Sequence, residues 1–424
     1  MGLLLDAGYG LAGLLASPFL LFKFATDRRY RHRLGERFGG VPAREGDAPC
    51  VWFHCASVGE VNVVKPLVKE MKRRRPNLAL HVSTVTMAGR ENAEKSFPDA
   101  RVHYWPLDFS FAARRALRRV RPSAVALVEL EVWPNFTAQA RKRGVPLVIV
   151  NGRLSHRSAR RFRRLGFLWH RVLRRIARVG AQSEAYAQRF REAGLDDGRV
   201  TVTGNLKYDA AIAFDPDAAR EEYGSLLGGG PLLVAGSTHD PEERILVETY
   251  VKLRASHPGL RLLIAPRHLE RVAEVEKVVA DAGLSCARRT AGRPPAGSVI
   301  LLDTVGELAK VYSVATVVFI GGTFCARGGQ NMLEPAALGK PVVSGPSLEN
   351  FREIADALVA AGGMRVVDNP IDLPRAAGDL LGDAELARVM GESARRTVEA
   401  GRGAIQATAD LIEGVLPARP GGAP

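Results

Sequence analysis

The chain has 424 residues, 46% hydrophobic and 25% charged, which is length for two globular cores and excludes a low-complexity or tandem-repeat architecture. Its net charge of +15, from 60 Lys+Arg against 45 Asp+Glu, calls for an acidic partner: nucleic acid, anionic lipid or a phosphorylated substrate. Cys50, Cys55, Cys286 and Cys325 match no zinc spacing and fit a reducing compartment, with Cys50 and Cys55 reading as small core residues.

In chain order, Leu3–Phe24 is strongly apolar, with a charge-free stretch of 16 residues, Ala7–Phe22, slightly short for a spanning helix of ~20 and carrying Pro18. Lys23, Arg28, Arg29, Arg31, Arg33 and Arg37 follow it. A secretory signal carries its charge before the apolar run, so this order predicts a membrane anchor, single-pass or interfacial, with the rest on the cytoplasmic side.

From Pro49 the chain alternates strand and helix patterns. Val51–His54, Leu78–Ser83, Ala124–Val128 and Pro146–Val150 read as strands. This βαβα rhythm predicts a parallel doubly wound sheet, in which ligands sit beyond the carboxyl ends of the strands. Glu60, Thr84, Glu129 and Asn151 fall at those ends. Arg153–Arg178 holds ten arginines, and Arg171, Arg174, Arg175 and Arg178 have the spacing of one helical face. That face reads either as a solvated stripe or as a contact for anionic lipid or a phosphorylated acceptor. Val200–Thr203 is a strand, and the polar, Gly/Pro-broken Asp209–Gly230 is the inter-domain connection. A second alternating unit follows, with strands at Leu232–Ala235, Leu260–Ala265, Val299–Leu302, Val317–Ile320 and Pro341–Ser344. The tail Pro417–Pro424 reads as frayed.

Val317–Pro341 carries the strongest local signal. A buried β-branched strand breaks at Gly321-Gly322, loops through Arg327-Gly328-Gly329 and restarts as a helix near Leu333. Strand, glycine loop and helix N-terminus make an anion site from free amides, and Glu334 in the first turn can accept bonds from ribose hydroxyls. The alternative is an ordinary strand–loop–helix joint. Gly339-Lys340-Pro341 is no P-loop, since Pro stands where Ser or Thr holds magnesium.

Eight blocks in order resemble one family: His54-Cys55-Ala56-Ser57-Val58-Gly59-Glu60, Glu129-Leu130-Glu131-Val132-Trp133-Pro134-Asn135, Asn151-Gly152-Arg153-Leu154-Ser155, Thr203-Gly204-Asn205-Leu206-Lys207-Tyr208-Asp209, Ser237-Thr238-His239, Pro266-Arg267-His268, Asp303-Thr304-Val305-Gly306-Glu307-Leu308 and Gly328-Gly329-Gln330-Asn331-Met332-Leu333-Glu334-Pro335. The chain thus resembles, from about Arg31 to Phe351, the 3-deoxy-D-manno-octulosonic acid (Kdo) transferases of lipopolysaccharide synthesis. The resemblance implies an α/β protein of the GT-B glycosyltransferase fold. It would have two Rossmann-like domains with an interdomain cleft, plus the N-terminal membrane-anchor helix. The expected domains are an anchor and basic flank over 1–40, an acceptor domain over 41–210 and a nucleotide-sugar domain over 211–424. It implies inverting transfer of Kdo from CMP-Kdo to the lipid A precursor at the cytoplasmic face of the inner membrane.

By the same resemblance the base is Glu60, and the transition-state residues are Glu129 and Lys207. The CMP contacts are Pro266, Arg267, Val305, Gly306, Glu307, Asn331, Met332, Leu333 and Glu334. Gln330, Leu130, Val305 and Met332 depart from the family's usual His, Thr, Met and Pro or Ile, and Gln330 loses a titratable group. On the residues alone, Glu60 reads either as a base pointed into a cleft or as a helix N-terminal carboxylate. Lys207 and Arg267 read either as stabilisers of the departing phosphate or as surface cations. Glu129 and Glu131 alternate along a segment taken as extended, so only one faces the cleft, and the resemblance selects Glu129. With no D-x-D pair, neither a metal nor a cofactor is expected. Two other readings stay open: a GT-B enzyme using a UDP-sugar, and a basic membrane- or nucleic-acid-binding protein. No nucleic-acid motif supports the latter, and strand-end carboxylates oppose a nucleic-acid partner.

Overall fold

Runs of β-branched and aliphatic residues too apolar to face water on either side settle as the inner strands of two wholly parallel sheets. The computed structural model describes residues 2–27, 31–155, 158–160, 166–212 and 214–418. Arg28 and Arg29 of the basic flank, and the tail beyond 418, lie outside them. Contacts divide the chain into one unit of Met1–Asp209 with Arg402–Pro424 and a second of Ala210–Gly401.

The first unit carries β1 (Cys50–His54), β2 (Ala79–Thr84), β3 (Arg101–Tyr104), β4 (Ala124–Val128), β5 (Leu147–Gly152), β6 (Arg178–Ala181) and β7 (Val200–Val202). They lie in the order β3-β2-β1-β4-β5-β6-β7. The second carries β8 (Leu232–Thr238), β9 (Arg261–Pro266), β10 (Cys286–Arg288), β11 (Val299–Leu301), β12 (Val317–Ile320), β13 (Val342–Ser344) and β14 (Met364–Val366), ordered β10-β11-β9-β8-β12-β13-β14. In each sheet the winding reverses once, between β1 and β4 in the first and between β8 and β12 in the second. Such a reversal opens a crevice beyond the strands' carboxyl ends, where doubly wound proteins bind ligands. Sheets and topology fit the expected α/β class. Cys50 and Cys55 are core residues, as expected.

The apolar N-terminus is not one helix. It breaks at Ala16 into α1 (Gly2–Leu15) and α2 (Ser17–Thr26), whose first turn contains Pro18. At 1.5 Å per residue, α1 is about 21 Å long, against a hydrocarbon core of ~30 Å. Among the described residues no helix is long and apolar enough to cross a membrane. The expected single-pass anchor is therefore corrected. Polar side chains tie α1 to the body: Asp6 Oδ1 accepts from Ser110 N (2.8 Å) and Asn135 Nδ2 (2.9 Å), and Tyr9 donates to Asp108 Oδ2 (3.2 Å). Leu4, Leu11, Leu14, Leu15, Leu21 and Phe22 stay exposed.

Two further expectations shift. Residues 402–424 belong to the first unit, not the second. There Ala404, Ala409 and Ile412 share a core with Val61, Val64, Leu67, Val68 and Met71 of the helix that follows β1. The arginine stripe does not lie on one helix face: that helix ends at Leu173, and Arg178 opens β6. Arg175 instead turns inward, donating to Pro134 O (2.8 Å) and Thr137 Oγ1 (3.0 Å).

Candidate active site

At the reversal point of the first sheet, β1 runs through Cys55 and Ala56 into α3 (Val58–Arg74), whose N-cap is Ser57. Ser57-Val58-Gly59-Glu60 is a capping box, the arrangement in which a helix start satisfies its orphan amides with its own side chains. Ser57 Oγ accepts from Glu60 N (3.4 Å). Glu60 Oε2 accepts from Ala56 N (2.8 Å) and Oε1 from the Ser57 hydroxyl (3.2 Å). Burial pushes the Glu60 carboxyl up to about 7; the Ala56 amide and Ser57 hydroxyl oppose this, while Glu129 and Glu131 add to it. Both readings of Glu60 therefore meet in one residue: it caps the helix, and it remains a carboxyl that exchanges its proton near neutrality.

Glu129 follows β4 in the left-handed region, at φ 57°. That conformation costs a non-glycine residue of order 1–3 kcal/mol and concentrates at functional sites. It also ends the extended geometry on which strict alternation depends. Glu129 and Glu131 both push the Glu60 carboxyl up, so Glu131 lies within its field as well. Asn151, buried and also left-handed at φ 53°, accepts at Oδ1 from Leu206 N (3.1 Å). This fixes the turn Leu206–Asp209 that presents Lys207. Burial lowers the Lys207 ammonium, Glu129 opposes that and Arg153 adds to it. Glu60, Glu129 and Lys207 thus gather at one end of the first sheet. Alternation hid Glu131, and nothing in the sequence singled out His54, the fully buried last residue of β1, whose Nε2 lies 3.9 Å from Glu131 Oε2.

At the second sheet's reversal point the loops after β8 and β12 touch. A Cβ on Gly321 would lie 2.4 Å from Ser237 O, so no larger residue fits there. Glu242, in the first turn of α4 (Glu242–Arg254) and without solvent exposure, binds both loops. Its Oε2 accepts from His239 N (2.9 Å) and Gly322 N (2.8 Å), and its Oε1 from Thr323 N (2.8 Å) and Phe324 N (2.9 Å). Burial pushes this carboxyl up against the pull of the four amides. Three amides of the loop after β12 are thereby taken by the chain's own carboxylate.

A cationic corner lies at His239. Burial lowers this ring, and His268, Arg327, Arg267 and Arg271 lower it further. Gln330 Nε2 lies 3.4 Å from His239 Nε2. Pro266 ends β9, and Arg267 is exposed beyond it, its backbone N–H donating to Thr238 O (3.0 Å). Arg327 was visible in the glycine loop and was not singled out.

Val305 is 85% exposed and Gly306 has φ 91°. Glu307 Oε1 accepts from Arg289 Nη2 (2.8 Å) and its Oε2 from the Thr304 hydroxyl (2.7 Å). Met332 and Leu333 are buried, and the Leu333 backbone N–H donates to Asn331 Oδ1 (3.1 Å). Glu334 enters the short helix Leu333–Ala337, takes one bond from Asn331 Nδ2 (2.9 Å) and is pushed up to about 7 by burial. Tyr312 bridges these segments: its hydroxyl fills the space beside Gly236, and Glu334 acts on it electrostatically. Among the described residues no group of three or more His, Cys, Asp or Glu side chains could hold a metal ion.

Residues 32–210 match the family model described as 3-Deoxy-D-manno-octulosonic-acid transferase (kdotransferase). The chain is 34% identical over 401 residues to a 3-deoxy-D-manno-octulosonic acid transferase of Haemophilus influenzae, covering 92% of each chain. It is 36% identical over 395 residues to that of Bordetella pertussis, covering 89% of this chain and 90% of the relative. In fold it is similar to UDP-GlcNAc 2-epimerase from Neisseria meningitidis, with TM-score 0.60 and 14% identity over 86% of this chain and 100% of that one. It is also similar to MurG from Acinetobacter baumannii, with TM-score 0.55 and 16% identity over 86% and 99%.

Proposed function

The chain belongs to the 3-deoxy-D-manno-octulosonic acid transferase family, and from that premise we propose the roles its residues take in the transfer. The chain is a glycosyltransferase that transfers Kdo in lipopolysaccharide biosynthesis. In our reading the donor is CMP-Kdo and the acceptor a hydroxyl of the lipid A precursor. Glu60 takes the acceptor hydroxyl proton as the new glycosidic C–O bond forms. The bond from the sugar to the CMP phosphate breaks, and its electron pair stays on that phosphate. Charge balance needs no further reactant.

The observation that carries this reading is the half-satisfied Glu60 carboxyl, held near pH 7 beside Glu129 and Glu131. A general base works best with its proton affinity near the working pH and contributes typically 10²–10⁴-fold. Lys207 and Glu129 serve the transition state. On the donor, Pro266, Arg267, Val305, Gly306, Asn331, Met332 and Leu333 bind CMP, with Glu307 and Glu334 as carboxylate acceptors. The exposed apolar face of α1 and α2 rests on the cytoplasmic surface of an anionic inner membrane, as an interfacial element.

The test is Glu60→Gln with CMP-Kdo and detergent-dispersed acceptor, read by mass analysis of the lipid. Loss of ~10²-fold or more in kcat with a normal unfolding transition is expected. Near-full kcat removes Glu60 from the role.

A further inference from the structure

The turn that carries Lys207 is held from three sides. Leu206 N donates to Asn151 Oδ1 (3.1 Å), and Lys207 N donates to Asn205 Oδ1 (3.0 Å). The Leu206 side chain is fully buried, in one apolar cluster with Val61 and Val64 of the Glu60 helix and with Ala404, Ala409 and Ile412 of the returning helix Ala404–Glu413. The third hold is Asp209, the last residue of the turn. Its Oδ1 accepts from Gly403 N (2.8 Å) and its Oδ2 from Ile405 N (2.7 Å).

The first amides of a helix have no partner within it, and the residue before the helix normally supplies one from its side chain. Here that residue is Gly403, at φ 102° and without a side chain. Asp209, 194 residues before Gly403, serves in its place. The same helix is also fastened to α3, which bears Glu60. Arg74, the last residue of α3, donates to Asp410 Oδ1 and to Gln406, and Arg75 Nε pairs with Glu413 Oε1 (3.3 Å). Arg75 Nη1 reaches Pro417 O as well (2.9 Å). The returning helix is thus a strut of 10 residues, about 15 Å long, tied to the Lys207 turn by Asp209 and to the Glu60 helix by Arg74 and Arg75.

We propose that Asp209 is a positioning residue for the transfer: by tying its turn to the returning helix, it holds the Lys207 ammonium in register with Glu60. This rests on Glu60 and Lys207 having the roles given above. Catalysis is steep in distance, and a misplacement of about 1 Å can cost ~10²-fold. Without the Asp209 carboxylate the turn keeps its bonds to Asn151 and Asn205, so it still forms, but its far end is untied from the strut.

The experiment measures kcat and KM of the full chain with CMP-Kdo and detergent-dispersed acceptor. The variants are Asp209→Ala, Asp209→Asn, Lys207→Ala and Asp209→Ala combined with Lys207→Ala, each checked for a cooperative unfolding transition. Asp209→Ala should lower kcat ~10–100-fold with KM little changed. Asp209→Asn, which keeps one acceptor, should lose less. Lys207→Ala should itself lose ~10²-fold or more, and in that background Asp209→Ala should cost nothing further. A helix cap with no other role would cost the same with or without the lysine. Wild-type kcat in folded Asp209→Ala therefore overturns the proposal, and so does a loss of equal size in the Lys207→Ala background. If Asp209→Ala does not fold, Asp209→Asn in the two backgrounds decides by the same comparison. The reading beneath it fails separately. Near-full kcat in Lys207→Ala removes the lysine from the transfer, and this proposal with it. An impaired Lys207→Ala beside an unimpaired Asp209→Ala overturns the role of Asp209 alone.

Discussion

Glu60 and Glu242 are both carboxylates in the first turn of a helix, each at the reversal point of its own sheet, yet their surroundings differ. Glu242 receives four backbone N–H bonds, two on each oxygen, with no solvent exposure. Glu60 receives one amide and one hydroxyl, is partly exposed, and has two other carboxylates for neighbours. The number of donors decides the role. Four amides leave no oxygen available for chemistry and make Glu242 a brace between two loops. Two donors, set against like charge, leave Glu60 able to accept a proton. The same residue type at the same kind of position is structural in one unit and reactive in the other.

The sharpest way to break this contrast is one substitution made at both sites. In Glu242→Gln, an NH₂ replaces one acceptor and confronts two amide donors, leaving buried groups unpaired at ~1–3 kcal/mol each. We expect a loss of about 3 kcal/mol or more by denaturant unfolding, with weakened CMP binding as the loops part. Glu60→Gln, whose two donors have little buried surface to lose, should unfold with the wild type. Equal stability losses in the two variants would dissolve the distinction.

A smaller effect separates bracing from ligand binding within the second unit. Among the described residues Glu334 has one protein donor, Asn331, so capacity remains for ribose hydroxyls. Charge-assisted bonds contribute ~1.5–3 kcal/mol. Glu334→Ala should therefore weaken CMP about 10–150-fold in calorimetric titration, with acceptor binding little changed and no dependence on EDTA. Unchanged CMP affinity would remove Glu334 from the donor site.

The smallest effect is at Ser57. Ser57→Ala removes a helix cap, costing ~0.5–2 kcal/mol, and also removes the hydroxyl that favours ionised Glu60. The Glu60 proton is then held more tightly, so the acid limb of the kcat/KM profile against pH, where activity rises as Glu60 ionises, moves to higher pH. A limb that moves down, or not at all, would mean that the hydroxyl does not act on the base.

Apart from the edge strand β7, the strands that sequence reading found are inner ones, where burial on both faces writes a continuous apolar run. Those it missed include the edge strands β3, β10 and β14, each three or four residues long and each containing an arginine. With one flank unpaired, such strands need less apolar signal. β6 was missed for another reason: Arg171, Arg174, Arg175 and Arg178 fit a helical spacing although the helix stops at Leu173. The residues gathered at the first unit's site were legible because short motifs carry them at strand ends. Glu242 was not, because in sequence it is an ordinary first-turn acid, and three of its donors lie 80 to 82 residues further on. Glu131 was lost to an alternation that the left-handed Glu129 interrupts.

The return of residues 402–424 to the first unit has a consequence for how the protein is made. Asp209, at that unit's boundary, accepts from Gly403 N (2.8 Å) and Ile405 N (2.7 Å), and the returning helix Ala404–Glu413 completes the core beneath the helix that bears Glu60. On the ribosome the contiguous second unit has all its residues before the first has its last. The first unit must wait to close, its apolar seam under the Glu60 helix open until the chain beyond the second unit has been made.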